Sequence, residues 1–425
     1  MKKWLSLLLA APLVFTGCAG EKEAVATQDE IGGVLKVLTS RTDADELFAK
    51  IEADFIAKYP SVTDIIWENS ADYAESITTR MNTTDYGDVL FIPFSMSANR
   101  SVYPNYFEPL GTVEEMSSKY LDVTEADFEG NVYGLPTAIN VLGMIYNTEV
   151  FKTAGITEMP TSTEEFLAVC EKIKSTTEAV PFFTNYGPGM GIWGGTLSSF
   201  GGENYKAEML EAGTALKEGQ PIREVLDLIY DLASKGYIEE DPMTLESAQG
   251  QQKIVNGEIA MMMRGSQDAN EMRQMAGSDE AIGMFPLPVQ LDGKSSVAIG
   301  APEVIGVSKH SENKETAKAF VEFFVSAASG YAADLGGMTP FIADLNEADK
   351  ALVTENQTVL TAPPTDPEVD AMYSTIAKEV GIARLTDAIQ KVINIGLYPE
   401  QNESYEAYIQ SLETKWEQVA KENGK

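Results

Sequence analysis

The residue with the clearest chemistry is Cys18, a thiol at the end of a short apolar N-terminus. Lys2 and Lys3 form a positive start, and Leu5 to Phe15 is apolar apart from Ser6 and Pro12. Small Thr16 and Gly17 then precede the cysteine. That order is a secretory signal whose cleavage leaves Cys18 as the first mature residue. The segment Leu13-Val14-Phe15-Thr16-Gly17-Cys18 resembles a bacterial lipobox, with Phe15 where an aliphatic residue is commoner. It implies a lipid on the Cys18 thiol and an acyl chain on the new amino group, each buried methylene contributing roughly 0.8 kcal/mol. The bland alternative is an ordinary signal peptide that happens to contain a cysteine.

Catalytic chemistry has little to work with. His310 is the single histidine and lies in the polar turn Ser308-Lys309-His310-Ser311-Glu312. A histidine-rich zinc site is therefore excluded, and no Gly-x-Ser-x-Gly elbow offers a nucleophile. Gly189-Met190-Gly191-Ile192-Trp193-Gly194 spells a dinucleotide fingerprint, but not between a strand and a helix. Gly293-Lys294-Ser295 lacks the first glycine of a phosphate loop, because Pro288 stands there. Glu125, Asp127, Glu129 and Gly130 begin like a calcium loop, but Pro136 replaces its bidentate glutamate. No cofactor or metal is expected. A carboxylate pair for glycoside hydrolysis stays open, since 65 acidic residues offer many pairs.

The formal charge of −34 repels phosphate backbones, so nucleic acid is not an expected partner. Besides Cys18 only Cys170 carries a thiol, and it shares a helical face with Phe166, Leu167 and Ile173. It reads as a small core residue, and no disulfide forms within the chain. Ala19 to Glu30 is polar and without apolar period, a leash reaching roughly 40 Å when extended. The composition is globular from Ile31 onward, and about 400 residues call for two domains. No later apolar run is long enough to span a bilayer.

The elements that position these groups alternate. Val34 to Thr39 reads as a strand, and Asp43 with Glu46 forms a capping box for a helix ending before Pro60. Val62 to Trp67, Ala71 to Met81 and Asp88 to Phe94 follow as strand, helix and strand. This order implies parallel strands with ligands beyond their carboxyl ends. There lie Ser40 and Arg41, Asn69 with nearby Tyr73, and Ser95. A second unit starts near Gly143, with helices at Ser162 to Lys174, Ile222 to Ser234 and Leu245 to Val255. Ile259 to Met263 is a buried strand whose three methionines are core. Asp292-Gly293 marks a hairpin turn that returns the chain as Val297 to Val307. Helical patterns fit Lys314 to Ser326, Glu368 to Val380, Leu385 to Ile395 and Tyr405 to Ala420.

Asn131-Val132-Tyr133-Gly134-Leu135-Pro136, Met144-Ile145-Tyr146-Asn147 and Phe151-Lys152-Thr153-Ala154-Gly155-Ile156 resemble the central segment of a known family. Ile254 to Met263 with Gly265-Ser266, Gly283 to Pro288, and Ile305 to Lys309 are similar to its later blocks. The family is the family 1 extracellular solute-binding proteins of ABC importers, the maltose-binding-protein-like group. The resemblance runs from Gly33 to Glu417 in order. It implies an α/β, two-lobed periplasmic-binding-protein-like fold of type II, each lobe a sheet flanked by helices, with the ligand between lobes. The implied division is 1–17 signal, 18–30 lipidated linker, 31–142 plus 295–336 first lobe, and 143–294 plus 337–425 second lobe. The chain is expected to cross near 140–143, 295–298 and 335–338.

The resemblance further implies a monomer, held to the membrane by its lipid, that closes on a mono- or oligosaccharide and docks on a permease. Trp193 and Tyr186 are the stacking candidates, with core packing as the equal alternative. Asn140 falls where the family places a polar contact, and Arg264, Gln267 and Glu303 complete the candidates. Gln267 stands where relatives often carry Trp, and Thr163 where another Trp is common. Two further readings are a cationic solute held by Asp43, Glu68 and Asp72, and a surface carbohydrate-active enzyme. A sensing role with a membrane receptor is not separable from transport on sequence.

Overall fold

Leu35 and Val37 bury one face of β1 (Gly33–Thr39), and Leu38 is buried on the other. The helix Asp45–Lys58 then packs Phe48, Ile51 and Phe55 inward and leads to β2 (Val62–Asn69). The computed structural model describes residues 31–70, 72–291, 293–353, 358–360 and 366–424. The Cys18 signal, the leash and Asp292 of the hairpin turn lie outside the described residues. Asp43 does not cap the first helix: Ala44 is the cap residue, and the Asp43 carboxylate is held by Arg41 instead.

Apart from a small sheet of three two-residue strands (Gly111–Thr112, Asp127–Phe128 and Asn131–Val132), the further strands in chain order are β3 (Val89–Phe91), β4 (Leu135–Pro136), β5 (Asn140–Asn147), β6 (Val180–Phe183) and β7 (Ile259–Gly265). Then come β8 (Ile282–Pro286), β9 (Gln290–Leu291), β10 (Lys294–Gly300), β11 (Val304–Val307) and β12 (Thr358–Leu360). One sheet has the order β2-β1-β3-β11-β4. The other follows β9-β10-β5-β7-β6, with β8 also on β5 and β12 on β10. In the first, β2 and β3 run parallel to β1 and β11 runs antiparallel to β3. In the second, β6 runs parallel to β7, and β5 antiparallel to it.

Each sheet has its own core. Around the first, Phe48 stacks on Trp67 with centroids 4.2 Å apart, and Phe320, Phe324 and Tyr331 close the cluster. Around the second lie Phe166, Cys170, Ile173, Trp193, Met261, Met263 and Trp416. Burial raises the Cys170 thiol, which fits an inert core residue. A smaller cluster of Leu121, Ile139, Val141, Val297, Ile299 and Met338 bridges the two.

The chain passes between sheets where strands change partner. From β4 to β5 it crosses at residues 137–139, just before the expected 140–143. From β10 to β11 it crosses at 301–303 rather than at 295–298. Val297 to Val307 is therefore two strands in different sheets, not one. The reason is local: β10 pairs with both β5 and β12, burying Ser296 to Ile299, and Pro302 supplies no N–H with which to continue a strand. A third passage leads from Tyr331 in the first core to Met338, whose backbone bridges Ile139.

Candidate functional site

Strand pairing fixes which loops face each other. Ile305 lies opposite Phe91, so the start of β11 sits at the carboxyl end of β3. Gly300 lies opposite Asn140, and Leu142 opposite Gly265, so the end of β10 sits at the carboxyl end of β7. The short link 301–303 thus brings the carboxyl ends of the two sheets together, where open α/β sheets hold ligands.

On the first sheet these ends enclose a cavity of about 360 Å³ lined by Ser40, Tyr73, Phe94, Ser97, Tyr103, Glu125 and Glu303. Glu303 arrives on the second crossing, its carbonyl accepting from the Thr137 N–H at 2.9 Å. Its carboxylate accepts from Ser40 Oγ at 2.9 Å and from Tyr331 Oη at 2.6 Å. An acceptor held by two hydroxyls keeps lone pairs for a third donor. Phe94 follows Pro93 at the rim and is 86% exposed. An aromatic face beside a fixed carboxylate can stack on an apolar C–H surface while binding its hydroxyls.

Three of the sequence candidates, Ser40, Tyr73 and Glu303, meet in this cavity. Tyr73 contributes its ring only, because its hydroxyl donates to the Phe91 carbonyl at 2.7 Å. Burial raises that phenol. Arg41 is committed elsewhere: it forks onto Asp43 at 2.8 and 3.2 Å, reaches Asp334 at 3.1 Å, and lies over the Tyr331 ring. The bond to Asp43 holds that carboxyl below its ordinary range. Asn69 is exposed and contacts Asp45 at 3.4 Å. Ser95 is exposed between Phe94 and Ser97, which do line the cavity.

The carboxylates considered for a cationic solute are largely spoken for. Asp43 belongs to Arg41, and Glu68 meets Lys36 at 3.2 Å and Arg80 at 2.5 Å. Burial works to raise Glu68, but these two cations outweigh it and hold it down.

On the second sheet, a cavity of about 930 Å³ is lined by Gly187, Gly191, Gly194, Tyr205, Lys206, Tyr373, Arg384, Thr386, Asp387 and Gln390. Gly187, the first of these, follows β6 by four residues. Tyr186 is half-buried and its hydroxyl meets Asn394 at 3.4 Å. Trp193 is not a platform: it is 2% exposed, packs against Phe182, and belongs to the core. The glycine-rich turn around it brings backbone, not indole, to the surface. Arg264 is tied down as well, at 3.5 Å from Asp268. With the Asn185 amide oxygen turned toward it, Arg264 also donates to Asn185 at 3.0 and 3.2 Å.

Asn140 and Gln267 flank the third passage rather than either cavity. A Cβ on Gly337 would lie 3.1 Å from Asn140 Oδ1, and one on Gly336 would lie 3.2 Å from Gln267 Cα. Asn140 Oδ1 is buried with no hydrogen-bond partner. His310 packs edge-on against Tyr86. Among the described residues no group of three or more His, Cys, Asp or Glu is placed to hold a metal, and no helix is long and apolar enough to cross a membrane.

Sequence reasoning missed Phe94, Ser97, Tyr103 and Glu125 in the first lobe and the 381–390 stretch in the second. Phe94 carried one usable signal, an aromatic directly after Pro93 at a strand end. The 381–390 stretch, a turn entering the helix Thr386–Leu397, carried none, since it reaches the cavity from the far end of the chain.

Comparison with known proteins agrees with this geometry. Residues 32–331 match the family described as Bacterial extracellular solute-binding protein. A multiple sugar-binding protein of Streptococcus mutans is 23% identical over 339 residues, 76% of each chain. A solved binding protein of an ABC transporter from Bifidobacterium animalis subsp. lactis, in complex with mannobiose, superposes with a TM-score of 0.68. It is 24% identical, over 95% of this chain and 98% of that one. A manno-oligosaccharide specific solute binding protein from the same organism, in complex with mannotriose, gives 0.67 at 25% identity over 93% and 96%. Two sheets with separate cores and three passages between them accord with this match, and the chain belongs to the bacterial extracellular solute-binding protein family.

Proposed function

We propose that this protein captures a neutral mono- or oligosaccharide outside the cytoplasmic membrane and delivers it to an ABC permease. The observation that carries the reading is the first-lobe cavity, where Phe94 stands exposed beside a carboxylate fixed by Ser40 and Tyr331. The sugar rests on Phe94 and donates a hydroxyl to Glu303. The wider second-lobe cavity, with Arg384, Asp387 and Gln390 at its wall, covers the rest of it. A ligand touching both lobes stabilises the closed state by its differential affinity, and the closed form is what the permease receives. The protein acts as a monomer and makes or breaks no bond in its cargo. The sugar-binding descriptions of the similar proteins support this choice of ligand.

The lobes are proposed to divide at the three passages, and Cys18 to carry the lipid that keeps the protein near its permease. A thermal-shift panel on the mature chain tests the ligand: mannobiose, mannotriose, raffinose, maltose and their monosaccharides. A bound sugar at one hundred times its Kd stabilises by about 2.7 kcal/mol. No rise in Tm with any sugar, alongside a rise with a cationic solute such as spermidine, would sink the sugar assignment. Mass spectrometry of the membrane-extracted protein tests the anchor, which fails if Cys18 carries no added mass.

A further inference from the structure

Asp122 occupies a left-handed backbone position, φ 55°, just before the short turn Val123–Ala126. It is 7% exposed, and both carboxylate oxygens are buried with no hydrogen-bond partner. A charge so placed is poorly tolerated, and such a group takes up a proton instead. Its surroundings give only partial relief, from Arg100. The charged groups facing it are Glu125 and Arg100. Arg100 is already bound to the Thr124 carbonyl and, at 2.9 Å, to Asp127. Burial, reinforced by Glu125, pushes Asp122 up to about 8, and burial raises Glu125 as well.

The position matters because Asp122 lies between the cavity and the hinge. Glu125, one short turn away, lines the first-lobe cavity. Leu121, directly before Asp122, is part of the cluster that bridges the two cores. Its N–H donates to the Pro340 carbonyl at 2.9 Å, and the Ile342 N–H returns to the Lys119 carbonyl at 2.9 Å. Those bonds fasten residues 119–121 to the chain just past the third passage.

We propose that Asp122 is a proton-dependent latch on the hinge. Holding a proton, it stays folded in beside Leu121; losing it, the carboxylate turns toward water and loosens the pairing of 119–121 with 340–342. The sign follows from linkage. The folded state holds this proton more tightly than the unfolded chain, where aspartate titrates at about 3.9. Its contribution to stability is complete below that value and is lost as pH rises through about 8. The latch goes beyond solute capture and does not depend on which solute is captured.

Hydrogen exchange on the sugar-free mature chain tests it, following the Leu121 and Ile342 amides from about pH 6 to about pH 9 after correction for intrinsic exchange. In the native sequence their protection falls as pH rises toward about 8 and levels off above it. In Asp122→Asn, which keeps the shape without the charge, protection stays flat. In Glu125→Gln, which removes the neighbouring charge, the fall moves to lower pH by about one unit. Flat protection in the native sequence overturns the latch, as does a native-like fall in Asp122→Asn. Should that variant not fold, an unshifted profile in Glu125→Gln overturns it equally. Because no sugar is present, the outcome is separate from that of the ligand panel.

Discussion

Two loops in this molecule begin alike and end differently. One leaves the carboxyl end of β3 and enters the 3-10 helix Phe94–Val102; the other leaves β6 and enters the 3-10 helix Pro188–Thr196. Each 3-10 helix carries one large aromatic. In the first, Phe94 stands out into the cleft, and in the second, Trp193 turns back into the core. The first loop thus puts an exposed ring beside Glu303. The second offers glycine backbone around a cavity more than twice as large. A rigid small pocket selects one ring, while a wide, glycine-lined one tolerates variation in the remainder of the ligand.

That contrast can be broken most sharply at Trp193. Trp193→Ala removes a fully enclosed indole and is expected to destabilise the protein by about 3–5 kcal/mol, read by urea unfolding. A stable variant that merely binds sugar less well would return Trp193 to the cleft. Glu303→Gln comes next. Losing a charged acceptor is expected to weaken binding of the panel's best sugar by about 1.5–3 kcal/mol in titration calorimetry. Unchanged affinity would move recognition to the second lobe. Gly336→Ala addresses the passage between the two. At φ +68° a Cβ is strained and would sit 2.9 Å from the Asn270 Cβ, so about 1–2 kcal/mol of stability is lost. An unaffected unfolding midpoint would show that this passage yields freely. The smallest effect belongs to Phe94→Ala, which weakens binding by about 1 kcal/mol and leaves the unfolding midpoint in place. A drop in stability there would mean that Phe94 is packed, not presented.

Much of the scaffold was legible. Period-2 and period-3.6 patterns located β1, β2, β7 and the helices Thr163–Thr176 and Pro221–Ser234 to within a few residues. The strand-end rule pointed to Ser40 and the neighbourhood of Phe94, which line the same cavity. Where the reading slipped, competition between partners was the cause. Asp43 looked like a helix cap until Arg41 took its carboxylate. Val297 to Val307 looked like one strand because both halves are apolar, while the change of sheet depends on what pairs with each. Trp193 looked like a platform because a glycine-rich loop suggests exposure.

By itself the sequence determined the class of molecule: a mixed α/β chain that carries an ordered set of family blocks. Those properties are local, carried by residue type and spacing over short stretches. Only the tertiary structure decided which aromatic faces the cleft, which carboxylates are free, and that Asp122 lies buried beside the hinge. Exposure and charge pairing are set by residues distant in the chain, such as Tyr331 against Glu303, and no local pattern records who those neighbours are.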